Sequence, residues 1–115
     1  MSKKYWINQT LLVALALGLF GCDENEMEVD FKGQTIELMT VDSLTVKTDV
    51  YEGNDESKPI ILMFHQAGYS RGEYRPIAPL LSAEGYTCLA IDQRSGEKVN
   101  GVVNSMFAEA KEKGL

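Results

Sequence analysis

The chain has 115 residues, a formal net charge of −6, two cysteines and a single histidine. An acidic balance of this size offers no basic face to a phosphate backbone, so nucleic acid is excluded as a partner class. One histidine, His65, means that any mechanism using an imidazole base must use that residue.

The chain opens on Lys3 and Lys4. From Leu11 to Phe20 every residue is apolar except Gly18, and Gly21 and Cys22 follow. A charged start, an apolar run and a small residue at the boundary make up the order of a secretory signal. The run is about ten residues and a spanning helix needs roughly 20, so no permanent transmembrane helix is expected here. Leu19-Phe20-Gly21-Cys22 resembles the lipobox of bacterial lipoproteins, with a leucine three places before the cysteine and a small residue directly before it. That resemblance implies a signal peptide over residues 1–21, cleavage before Cys22, a thioether-linked diacylglycerol on Cys22 and a further palmitate-type acyl chain on its amine. Each buried methylene contributes about 0.8 kcal/mol, so several chains hold a protein stably at a bilayer. The implied location is the cell envelope, with the lipid bilayer as partner and the protein on its non-cytoplasmic side.

Cleavage takes the net charge from −6 to −8, because Lys3 and Lys4 leave with the signal. Residues 22–34 are acidic and polar at first, as in Asp23-Glu24-Asn25-Glu26, and read as a solvated tether. An aspartate directly after a lipidated cysteine resembles an inner-membrane retention mark in some bacteria. An acidic cluster there resembles a surface-export mark in others, and the two destinations stay open. With Cys22 lipidated, Cys88 stands alone, which excludes an internal disulfide and a cysteine-based zinc site.

Thr35–Val41 and Leu44–Tyr51 alternate in polarity and are rich in β-branched residues, which predicts two strands joined at Asp42-Ser43 as an antiparallel hairpin. A polar turn runs from Glu52 to Pro59. Ile60–Phe64 is continuously apolar, as in a strand covered on both faces of a parallel sheet. After the loop His65–Gly72, the spacing predicts a helix over Glu73–Glu84, with Tyr74, Ile77, Leu80 and Leu81 on one side. Pro76 falls in its first turn, Pro79 is a flaw within it, and Gly85 stops it. Thr87–Ile91 reads as a second buried strand ending at Asp92. A last helix is expected over Ser105–Lys113, with Asn104 as N-cap and Gly114 as stop. Strand, helix, strand forms a βαβ unit, so the expected class is α/β, preceded by an antiparallel hairpin.

Three stretches then carry a resemblance to the α/β-hydrolase superfamily, closest to its dienelactone-hydrolase and serine-esterase members. They are His65-Gln66-Ala67-Gly68 after the apolar strand, Arg71-Gly72-Glu73-Tyr74 opening the helix, and Gly85-Tyr86 through Asp92-Gln93-Arg94-Ser95-Gly96. The resemblance covers residues 35–115 and departs from the usual pattern at Gln66, where glycine is common. It implies that the strand Ile60–Phe64 lies beside Thr87–Ile91, and that backbone N–H groups in the loop face an oxygen that becomes negative during acyl transfer. Ala67, together with Gln66, is the implied half of that oxyanion hole, and His65 and Gly68 shape the loop. The implied chemistry is serine-type hydrolysis of an ester, amide or lactone, with no metal and no organic cofactor.

Gly68-Tyr69-Ser70-Arg71-Gly72 is a literal G-x-S-x-G, but Ser70 is not expected to be the nucleophile. The order in this fold is serine, acid, histidine, and no histidine follows Ser70. Asp92 and Arg94 are expected to pair locally at the strand exit, and Cys88 to be an inert core residue. No nucleophile elbow, acid and histidine follow Gly96. Residues 35–115 are therefore expected to be an inactive N-terminal portion of a hydrolase domain, with a substrate only where a full-length domain exists. The alternative is a small non-enzymatic envelope lipoprotein acting as a binding or structural module.

Overall fold

A computed structural model describes residues 30–115. The lipobox, Cys22 and the first part of the tether lie outside the described residues. The class is α/β: a mixed four-stranded sheet with helices packed on it.

The hairpin consists of β1 (Gln34–Met39) and β2 (Thr45–Tyr51), with Gln34 opposite Val50 and Met39 opposite Thr45. Its turn is closed by two contacts of Thr40, whose N–H donates to Leu44 O and whose Oγ1 accepts from Leu44 N–H, both at 2.9 Å. The folded part reaches further back than residue 35. Gln34 is the first residue of β1, and Phe31 meets Tyr51 edge-on with ring centroids 5.8 Å apart. An aromatic side chain has more apolar surface to bury than a tether of acidic residues can leave in water.

Next come β3 (Ile61–Phe64) and β4 (Cys88–Ile91), which pair in parallel with Ile61 beside Cys88 and Phe64 beside Ile91. β4 also pairs antiparallel with β2, so the strand order is β1-β2-β4-β3. β3 is thus an edge strand.

The crossover is not one helix. A 3₁₀ turn spans Arg71–Tyr74, and α1 covers only Ala78–Ala83. Pro76 makes the break, because it lacks the N–H of an i→i−4 bond and its ring collides with the carbonyl four residues back. Around it the chain uses three-residue bonds instead, from Arg75 N–H to Gly72 O and from Ile77 N–H to Tyr74 O. Pro79, the expected flaw, falls in the first turn of α1, where an amide has no intrahelical partner to lose. The change of pitch takes Ile77 and Leu80 off the buried side, while Tyr74 and Leu81 still pack on the core.

A short hairpin follows, β5 (Lys98–Val99) and β6 (Val102–Val103), turning on Asn100-Gly101 with φ of 49° and 74°. Both residues are left-handed, as the tight two-residue turn requires. The sequence expectations did not include it. The last element is α2 (Ser105–Glu112), where the Asn104 side chain accepts from Met106 N–H at 3.2 Å as the N-cap.

One face of the sheet buries Tyr51, Met63, Cys88 and Ala90 against Ala78 of α1. On the other face α2 seals Leu44 and Val46 with Met106 and Ala110. α2 lies over β2 and leaves β3 bare, so the expected two-sided cover of the apolar run is not observed. Ile60, Leu62 and Phe64 are 62%, 54% and 54% exposed. Among the described residues no helix is long and apolar enough to cross a membrane.

Candidate functional site at the carboxyl ends of β3 and β4

In open α/β sheets, ligands bind beyond the carboxyl ends of parallel strands, and here those ends lead into two loops. The β3 exit runs from His65 to Ser70 and the β4 exit from Asp92 to Gly96. The loops touch at Gly96, where an added Cβ would lie 2.0 Å from Tyr69 O and 3.1 Å from the His65 ring. Gly96 also has φ +129°, so both space and backbone require glycine at the contact.

His65 is buried between the two loops. Its Nε2 accepts from Gln93 N–H at 2.8 Å, which places the proton on Nδ1, and Nδ1–H donates to Gln66 O at 2.9 Å. Gln93 returns the contact, its Nε2 donating to His65 O at 2.5 Å. Asn104 completes the lock by donating to Gln93 O at 2.8 Å. Both ring nitrogens are therefore engaged, and His65 holds two strand exits together in the neutral form. A general base needs a nitrogen open to the reacting proton, which this geometry does not supply.

Ser70 is fully buried. Its hydroxyl donates to Val102 O at 2.6 Å and accepts from Gly72 N–H at 3.2 Å, capping the 3₁₀ turn against β6. Among the described residues its hydroxyl is hydrogen-bonded to backbone groups and to no side-chain base.

Beneath the loops lies a buried ionic cluster. Arg71 Nε donates to Asp49 Oδ1 at 2.9 Å, and Nη1 donates to Asp92 Oδ2 at 2.8 Å. Thr35 also donates to Asp49 Oδ1, at 2.7 Å. Arg75 Nε stands 3.8 Å from Asp49 Oδ2, so two arginines face two aspartates. The expected pairing of Asp92 with Arg94 is not found. Asp92 points inward to the cation of the crossover, and the exposed Arg94 side chain instead binds Asp42 of the β1–β2 turn. A guanidinium already surrounded by fixed acceptors is a better partner for a buried carboxylate than a side chain that must leave water. Beside the cluster, Tyr51 is buried and its hydroxyl is pushed up to about 12, first by burial and then by the Asp49 charge. Cys88 is fully buried and its thiol is pushed up by burial, which keeps it protonated and inert.

The implied oxyanion donors divide. Gln66 N–H is already given to Glu73 Oε2 at 2.8 Å, so it does not face a ligand. Ala67 N–H has no acceptor among the described residues, and Gly68, at φ +88°, has nothing within 4 Å of the position of a Cβ. Ala67 and Gly68 are exposed at the mouth of the loop. Among the described residues no group of three or more His, Cys, Asp or Glu could hold a metal ion. Glu73, Gln93 and Asn104, which build this site with His65, were not singled out for it in the sequence. The Asn-Gly pair between valines was a legible signal for the β5–β6 hairpin. Glu73 and Gln93 lie within the stretches that carry the resemblance and Asn104 was expected as an N-cap, but nothing local linked the three to His65. No family model, curated protein or solved structure matches this chain.

Proposed function

We propose that the chain is a lipid-anchored envelope lipoprotein carrying the oxyanion side of an α/β-hydrolase-type domain. In that reading the class of reaction is serine-type hydrolysis of an ester, amide or lactone. The described residues supply a scaffold and one outward donor, not the nucleophile, acid and base. The observation that carries it is topological. An antiparallel hairpin is followed by a βαβ unit whose parallel strands lie side by side, with the His65–Gly68 loop at their carboxyl ends. That is the arrangement the sequence resemblance implies. The anchor rests on the lipobox-like residues before Cys22.

Sequencing the gene beyond codon 115 tests the hydrolase reading. A serine elbow, an acid and a histidine encoded downstream in any frame support it, and unrelated sequence after an ordinary stop overturns it. The anchor is tested separately by labelling cells with a radioactive or clickable fatty acid. We expect label on the wild type and none on Cys22→Ala, whereas unchanged label on the variant rejects the anchor. The saturated ring of His65 and the buried hydroxyl of Ser70 favour a second reading, a non-enzymatic binding module, should the downstream sequence be unrelated.

A further inference from the structure

We propose that the β1–β2 turn, with the exposed apolar side chains of Leu38, Met39 and Val41, is a docking surface for the bilayer that carries the anchor, seated at the boundary between headgroups and acyl chains. The proposal rests on the anchor of the reading above for the presence of a membrane, and on the turn itself for the fit.

Turns are usually built from Gly, Pro, Asn, Asp and Ser. This one leaves Leu38, Met39 and Val41 54%, 77% and 107% exposed. A single exposed apolar residue needs no explanation, but neighbouring ones mark a surface that meets something apolar. Structure added beyond β3 does not account for them. The strand order β1-β2-β4-β3 puts the hairpin at one edge of the sheet and β3 at the other, so a sheet continued past β3 grows away from the turn.

Backbone that meets lipid has to satisfy its polar groups internally. Thr40 N–H donates to Leu44 O and Leu44 N–H to Thr40 Oγ1, both at 2.9 Å, and Ser43 N–H donates to Thr40 O at 3.0 Å. Ser43 O accepts from Lys113 Nζ at 2.5 Å. Asp42 is the sole charged residue between Leu38 and Val46, and Arg94 pairs with it. A carboxylate with its cation attached is less costly to bring into the headgroup layer than a lone one.

The tether has the reach. Phe31 packs on Tyr51, at the end of the hairpin away from the turn, and residues 22–30 lie between it and the lipidated cysteine. Fully extended, that stretch spans about 30 Å. The six residues of β1 cover only about 20 Å. The turn can therefore come down on the bilayer that holds Cys22, and the anchor raises its effective concentration there, so that a small apolar contact suffices.

The test is bromolipid quenching of tryptophan, on the lipoprotein purified from membranes and placed in vesicles of phosphatidylethanolamine and phosphatidylglycerol. Trp6, the one tryptophan of the chain, falls in the signal, and the wild type serves as the blank. Val41→Trp should lose at least about half of its emission when the acyl chains are brominated, as for a side chain at the headgroup–acyl boundary. Glu56→Trp, on the exposed polar turn at the other end of β2, should lose little. Adding Arg94→Gln to Val41→Trp leaves Asp42 unpaired and should weaken the quenching. An unquenched Val41→Trp, or equal quenching at both positions, overturns the proposal, and undiminished quenching with Arg94→Gln overturns the role of the ion pair. Mass spectrometry of the same protein reads the lipid on Cys22 separately. Lipid without quenching of Val41→Trp rejects the docking and keeps the anchor, whereas quenching without lipid rejects the anchor and keeps the docking.

Discussion

Arg71 holds Asp92 at two points: its backbone N–H donates to Oδ1 at 2.7 Å and its Nη1 donates to Oδ2 at 2.8 Å. The same side chain reaches Asp49 through Nε, so one residue of the crossover ties β2 to the end of β4. This clamp sets where the β4 exit loop leaves the sheet and hence where Gln93 meets His65.

Removing one partner of a buried ion pair leaves the other charge uncompensated and costs about 3–5 kcal/mol. Arg71→Met should be the more damaging single change, since it strands both Asp49 and Asp92. Asp92→Asn should cost less, because an acceptor oxygen remains for the Arg71 N–H. Urea unfolding followed by far-UV circular dichroism should rank the midpoints wild type, Asp92→Asn, Arg71→Met. Equal midpoints for all three would show that the cluster does not hold the fold.

Ser70 should contribute to stability and not to hydrolysis. Its hydroxyl is the partner of a buried carbonyl, and leaving such a group unsatisfied costs about 1–3 kcal/mol. We expect no turnover of p-nitrophenyl acetate above buffer by the chain, no change in that result for Ser70→Ala, and a lower melting temperature for the variant. Turnover that disappears in Ser70→Ala would identify Ser70 as the nucleophile after all.

Acid should loosen α2 from the hairpin. The Glu109 carboxyl is held below its ordinary value, first by Lys113 and then by Thr45 N–H, which donates to Oε2 at 2.9 Å. A carboxyl lowered in the folded state binds its proton more readily when unfolded. Its contribution is therefore present above the unfolded pKa and is lost as pH falls through the folded value. Thermal melts from pH 7 down to pH 3 should show a shallower decline for Glu109→Gln than for the wild type. Parallel declines would contradict this role.

The layout of the sheet was legible because it depends on local patterns. Alternation marked β1 and β2, and the apolar runs Ile60–Phe64 and Thr87–Ile91 marked the parallel pair, observed over Ile61–Phe64 and Cys88–Ile91. The split of the crossover was written in Pro76, but the helical spacing of Tyr74, Ile77 and Leu80 argued for continuity and outweighed it. The site was less legible. His65 is locked by Gln93 and Asn104, 28 and 39 residues further on, and no spacing rule connects them. Arg71 and Glu73 sit in a polar stretch whose residues look solvated, and only the fold shows that Arg71 is buried and that Glu73 is spent on a backbone amide.

The proposed function bears most directly on β3. It is an edge strand, and Ile60, Leu62 and Phe64 are each more than half exposed. Unpaired apolar edges template association, and each such side chain contributes about 1.5–3 kcal/mol when fully buried. The most direct measurement is thermal melting with ANS fluorescence and size exclusion on lipid-free residues 23–115. We expect a broad melt, strong ANS fluorescence and elution ahead of a monomer. A sharp cooperative melt, a monomeric elution volume and no ANS signal would contradict the hydrolase-portion account and favour a self-sufficient small module.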